Sequence, residues 1–223
     1  MLYIVATPIG NLADITLRAL EVLKSCDLIA CEDTRQTQKL LNHYEIAKPL
    51  TSYYEHNKLS KGEYLIKLLK EGKNIALVSD SGTPAISDPG FHIVKLALEN
   101  DIAVSPIPGP SAMAAALSVC GIPANRFIFE GFLPIKPGPR KKILSQLLSQ
   151  EKTIILYESP YRFLRLLDEI REVSPDAEIT VCREITKKFE EIKKGAVDSI
   201  ITYYKANKIQ ATKGEFVVVL NHK

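Results

Sequence analysis

At 223 residues, 46% hydrophobic and 25% charged, the chain has the composition of an ordinary globular protein, one large domain or two small ones, with core enough to need no disulfide or metal. The four cysteines (Cys26, Cys31, Cys120, Cys182) lack CxxC spacing and the four histidines are scattered, which excludes a metal-ligand motif and favours buried free thiols of a reducing compartment. Met1–Val5 has no basic stretch before it, and no apolar run nears the roughly 18–20 residues of a membrane helix, so a cytoplasmic protein is expected.

Strand-like and helix-like patterns alternate along the chain. Leu2–Ala6, Asp27–Cys31, Ile75–Ser79 and Ile102–Ser105 are short apolar runs that read as buried strands. Amphipathic stretches lie between them: a helix through Leu17, Leu20 and Leu23 capped by Asp14, then Thr34–Tyr44, Leu59–Leu69 and Phe91–Leu98. A small-residue helix over Ser111–Cys120 ends at Gly121-Ile122-Pro123. A second series follows, with strands at Arg126–Phe132, Thr153–Tyr157, Glu178–Cys182 and Glu215–Leu220. Its helices are Arg140–Leu148, Tyr161–Val173 and Ala196–Ala206. This predicts two α/β subdomains, 1–112 and 113–223, with a ligand cleft between them. The net charge of +3 hides an asymmetry: residues 1–112 carry 11 Lys+Arg against 13 Asp+Glu, and the remainder 18 against 13. The basic second half suits phosphates, or is simply a solvated surface.

Chemistry is concentrated in three loops at strand ends, where open α/β sheets bind ligands. Ala6-Thr7-Pro8-Ile9-Gly10-Asn11-Leu12 is a tight turn that lets backbone approach a ligand. Neither it nor any other segment matches the dinucleotide or P-loop glycine fingerprints. Ser79–Gly90 is the densest, rich in small, turn-forming and acidic residues. Its Asp80 suits a ligand hydroxyl or amine, although Asp80 and Asp88 also fit as caps of the turn and the next helix. Ile107–Ala112 feeds a helix N-terminus, where Ser111 serves an anionic group, an N-cap, or both.

Together these loops resemble the tetrapyrrole methylase superfamily and, more closely, the ribosomal RNA small-subunit methyltransferase I family. The segments that carry the resemblance are Tyr3–Leu12, Cys31–Arg35, Ser52–Asn57, Ser79–Gly90, Pro108–Ala112, Tyr157–Arg162 and Cys182–Glu191. The family often has His where this chain has Tyr54 and Tyr161, and a basic residue where it has Ile135. Its members commonly continue beyond the position of Leu220 with a helical extension, a difference expected to bear on RNA grip more than on cofactor binding.

The resemblance implies an S-adenosyl-L-methionine-dependent enzyme that methylates the 2′-hydroxyl of a cytidine in 16S rRNA (position 1402 in the usual numbering), free or within the 30S subunit, and works as a homodimer. It implies cofactor contacts from Pro8, Ile9, Asp80, Ser81, Gly82, Thr83, Ser111 and Ala112, from Tyr157 or Glu158, and from Ile185. Arg35, Lys136, Arg140, Arg162, Arg183, Lys187 and Lys188 fall in or beside the same segments and the family-like stretch Phe132–Arg140, and are expected to face RNA phosphates. Candidates for a base that activates the hydroxyl are Glu32, Asp33 and His56; Asp33 beside Arg35 also reads as a structural ion pair. The rival readings are a tetrapyrrole or protein side-chain methylase of the same fold, and a noncatalytic RNA-binding relative.

Overall fold

The computed structural model describes residues 1–221. They fall into two compact units, the first Met1–Ser111 and the second from Ala112 onward.

The first unit is an all-parallel sheet of β1 (Leu2–Val5), β2 (Leu28–Cys31), β3 (Leu50–Ser52), β4 (Ile75–Val78) and β5 (Val104–Ile107), in the spatial order β3-β2-β4-β1-β5. Side chains of a strand alternate between faces, and the two cores record it. Tyr3 and Val5, Ile29 and Cys31, and Ala76 and Val78 belong to one cluster; Leu2 and Ile4, Leu28 and Ala30, and Ile75 and Leu77 belong to the other. Helices α1 (Leu17–Ser25) and α2 (Thr34–His43) cover the first face through Ala19, Leu23 and Leu41. Helices α3 (Lys58–Lys70) and α4 (Phe91–Glu99) cover the second through Leu65, Leu69, Ile93 and Ala97.

The second unit opens with α5 (Ala112–Val119) and has a mixed sheet, β6 (Phe127–Phe132), β7 (Thr153–Glu158), β10 (Phe216–Asn221), β8 (Glu178–Arg183) and β9 (Glu191–Ala196) in that spatial order. Of its neighbouring pairs only β6 and β7 are hydrogen-bonded in parallel; the other three pairs are antiparallel. Helices α6 (Pro137–Leu148), α7 (Pro160–Val173) and α8 (Val197–Ala206) bury Leu144, Phe163, Leu166 and Ile200 on one face, and α5 lays Ala116 on the other; α9 (Lys208–Ala211) is one turn. All four cysteines are buried and free, and burial pushes the Cys182 thiol up to about 12. Among the described residues no helix is long and apolar enough to cross a membrane.

Several boundaries differ from expectation. Thr16, not Asp14, caps α1, its hydroxyl accepting from the Ala19 N–H; Asp14 ends a short 3-10 turn instead. The fifth strand runs from Val104 and includes Pro106, which a strand at the sheet edge tolerates because one side needs no donor. β3 and β9 were not anticipated: the first has three residues, and the second, Glu-Ile-Lys-Lys-Gly-Ala, is a charged edge strand.

Candidate active site

The order of the first sheet sets where crevices can form along its carboxyl edge. A crevice forms where neighbouring strands send their outgoing chains to opposite faces. Here β1 and β2 lead to helices on one face, β3 and β4 to helices on the other. The order β3-β2-β4-β1 therefore alternates faces at every step, giving three crevices in a row.

The β4–β1 crevice is lined by the first two loops. Thr7 and Gly82 exchange backbone hydrogen bonds (Thr7 N to Gly82 O 2.8 Å, Gly82 N to Thr7 O 3.0 Å), and the Thr7 hydroxyl donates to the Ser79 carbonyl at 3.1 Å. Thr83 ties in the third loop by donating to the Pro110 carbonyl at 3.1 Å. Gly82 has φ +80°, and a Cβ there would lie 3.4 Å from Ile9 Cγ2. Ala85 and Ser87 also hold positive φ, and at Gly90 a Cβ would come within 2.9 Å of the Ala85 nitrogen. Left-handed backbone at non-glycine residues is costly and gathers at functional turns. Ile9 is buried, Pro8, Thr83 and Ser111 are half-buried, and Asp80 and Ser81 are exposed.

The β2–β4 crevice gathers carboxylates. Asp80 Oδ1 accepts from the Asp33 N–H at 3.1 Å, so it stitches the two loops together. Asp33 caps α2 and chelates Arg35, accepting from its Nε at 3.0 Å and its NH2 at 2.7 Å. These bonds pull the Asp33 carboxyl down to about 2, which makes it a poor proton acceptor. The pairing of Asp33 with Arg35 is the structural ion pair that their spacing suggested. Glu32 moves the other way: burial raises its pKa, with the charges of Asp80 and Asp33 adding to the effect. Asp88 rises to about 6, first through burial and then through the Glu32 charge. It does not cap α4, whose N-cap is Gly90 with no side-chain bond.

In the second unit several expected contacts are spent internally. Arg140 is only 1% exposed: its NH2 donates to Glu158 Oε2 at 2.7 Å and its Nε to Glu169. Glu158 Oε1 accepts from the Ser159 N–H at 2.8 Å and pairs with Arg162 at 2.8 Å. The phosphate role expected of Arg140 therefore gives way to a buried ion network, and of the contact expected at Tyr157 or Glu158, the Glu158 carboxylate is spent in the same network. Arg183 is corrected likewise: 9% exposed, it donates to the carbonyls of Lys213 (2.9 Å) and Phe189 (3.3 Å). Lys187 pairs with Glu184 and Glu215. Arg35, Lys136 and Lys188 stay at the surface. Tyr157 packs edge-on against Phe129 and Phe132, and Ile185, Ala112 and Tyr157 line the smaller core of this unit.

Residues 1–201 match the family described as tetrapyrrole (corrin/porphyrin) methylases. Proteins named ribosomal RNA small subunit methyltransferase I are similar over nearly the whole chain: 49% identical in Bacillus subtilis (99% of this chain, 74% of that protein), 48% in Synechocystis sp. (99% and 78%) and 46% in Thermotoga maritima (100% and 98%). The chain belongs to the ribosomal RNA small subunit methyltransferase I family of the tetrapyrrole methylases. Solved structures of a diphthine synthase (TM-score 0.78, 16% identity, 100% of this chain and 90% of that one) and a cobalt precorrin-4 methyltransferase (TM-score 0.71, 20%, 99% and 94%) share the fold. The protein is thus a methyltransferase. From the sequence alone Asp88 reads only as a cap. Its proximity to Glu32 comes from β2 and β4 being neighbours, a pairing no local pattern discloses.

Proposed function

We propose that the chain transfers the methyl group of S-adenosylmethionine to the 2′-hydroxyl of a cytidine ribose in 16S rRNA. The observation that carries this reading is the β4–β1 crevice, where Thr7, Gly82 and Thr83 lock three loops into a cradle beside the carboxylates of the β2–β4 crevice. The cradle fits an adenosyl donor chemically. Ile9 offers an apolar wall, Ser81 and Asp80 offer polar groups for ribose or amine, and Gly82 lets backbone come close without a side chain in the way. The relatives near 47% identity are named for ribosomal RNA, which favours RNA over the precorrin methylation and diphthine synthesis for which more distant neighbours are named.

When bound, S-adenosylmethionine supplies an activated methyl carbon. The chain's own groups must then orient the acceptor and remove its proton. Glu32 is assigned the proton: its raised pKa keeps it basic enough to draw on a hydroxyl, where Asp33 is too weak. Asp80, by holding the Asp33 N–H, fixes the loop that carries Glu32. Pro8, Ile9 and Asp80 to Thr83 are assigned to the donor. Arg35, Lys136 and Lys188 are assigned to phosphates, which attract cations without regard to sequence.

The test is transfer from labelled donor to undermethylated 30S subunits, beside a tetrapyrrole acceptor in parallel. Label in 30S RNA alone is expected. Label in the tetrapyrrole alone, or in neither, overturns the reading.

A further inference from the structure

The donor and the carboxylates are assigned to two of the three crevices, leaving the one between β3 and β2 without a role. We infer that it seats the nucleobase of the acceptor nucleotide, with the Tyr54 ring as stacking platform and His56 beside it. The inference rests on the ribonucleotide reading above and assigns the part of the substrate that reading leaves unplaced.

The loop after β3 is built to present that ring. The Tyr53 N–H donates to the Cys31 carbonyl at 2.7 Å, carrying the strand register one residue beyond β3. Tyr53 itself is 1% exposed, sunk in the core beneath α3 and α4. The next side chain of an extended segment points the opposite way, and Tyr54 is 38% exposed. Asn57 closes the turn around it. Its Oδ1 accepts from the Tyr54 N–H at 2.8 Å, and its Nδ2 donates to the Ser52 carbonyl (3.2 Å) and hydroxyl (3.3 Å). The exposed His56 ring meets Tyr54 edge-on, centroids 6.3 Å apart at 74°.

Single exposed aromatics are common and need no explanation. What separates Tyr54 from these is a turn closed by three Asn57 hydrogen bonds and its neighbours along the carboxyl edge. The adjoining β2 loop carries Glu32, and the first turn of α2 carries Arg35, with a side chain 87% exposed. Across the edge the order is aromatic ring, carboxylate, donor cradle. A nucleotide undergoing ribose methylation presents the same order: base, 2′-oxygen, incoming methyl. The step from the first crevice to the third is two strand spacings, about 10 Å, within reach of one nucleotide. Splayed-out RNA bases are held by stacking on aromatic side chains, and every base offers a π face.

The experiment compares wild-type protein with Tyr54→Leu and Tyr54→Phe, the first removing the π face while keeping apolar bulk. The substrate arm measures kcat and KM on undermethylated 30S subunits. The binding arm titrates two 16S fragments, one with pyrrolocytidine at the target position and one abasic there. Tyr54→Leu is expected to raise KM and weaken the pyrrolocytidine fragment roughly 10-fold or more, with kcat changed less than twofold, the probe's quenching on binding lost, and Tyr54→Phe near wild type. On the abasic fragment the Leu variant should bind as wild type does, a difference that a merely structural role would not produce. Unchanged KM and quenching in Tyr54→Leu, with wild type active, overturns the platform alone. If wild type methylates no RNA, the functional reading fails and the platform with it.

Discussion

The two units treat charge at their strand ends in opposite ways. Along the carboxyl edge of the first sheet, Glu32, Asp80 and Asp88 crowd together with no cation bonded to them among the described residues, and two of them resist ionisation. In the second unit, Glu158 at the end of β7 and Glu169 facing it from α7 are saturated by Arg140, Arg162 and Arg165. Unpaired carboxylates cost stability and are retained where chemistry uses them; paired ones serve as braces. A charged residue in a family-like segment therefore says little until its partners are known.

Substitution of Glu32 probes the reactive side most severely. Glu32→Gln is expected to lower kcat on RNA by about 10²–10⁴-fold and to abolish the acidic limb of the pH–rate profile, with donor binding intact. A pH profile that keeps its acidic limb would show that another group takes the proton.

On the braced side, Arg140→Ala leaves two glutamates buried without their main partner. A loss of about 3–5 kcal/mol in urea unfolding followed by circular dichroism is expected. Were Arg140 a phosphate contact after all, stability would hold and the salt dependence of RNA binding would fall instead.

Asp80 lies on the border between the two kinds, since one oxygen ties a loop and the other is free of any hydrogen bond among the described residues. Asp80→Ala should weaken calorimetric binding of S-adenosylhomocysteine about 10-fold or more, as loss of a charge-assisted hydrogen bond does. Normal binding would remove Asp80 from the donor site.

The smallest expected effect belongs to Asp88. Its pKa of about 6 in the fold exceeds the ordinary aspartate value near 3.9. The folded state therefore holds the proton more tightly between those limits, and stability falls as pH rises through the window. Asp88→Asn should then stabilise by roughly 1 kcal/mol at pH 7.5, a gain that vanishes at pH 4. Thermal melts at the two pH values check this, and an equal gain at both contradicts it.

Much of this contrast was legible in the sequence. Short apolar runs such as Ile75–Val78 mark strands buried on both faces, and turn-rich stretches such as Ser79–Gly90 mark the loops after them. Asp33 and Arg35 stand close enough in the chain for their pairing to be weighed in advance. Arg140 could not be read this way: its partners lie 18 and 29 residues onward, brought together by α6 packing beside α7. Lys141 and Lys142 next to it give the look of a solvated basic patch. Arg183 misled for the same reason, since its partners are backbone carbonyls, which no sequence pattern announces. The three crevices depend on strand order, and β3, which supplies the third, is too short to register as a periodic run.

The most direct test of the account is a nucleoside-resolved mass-spectrometric map of 16S rRNA after undermethylated 30S subunits are incubated with this protein and S-adenosylmethionine. One new 2′-O-methylcytidine is the expected result. RNA left unchanged, or a methyl group found on a base rather than a ribose, would contradict it.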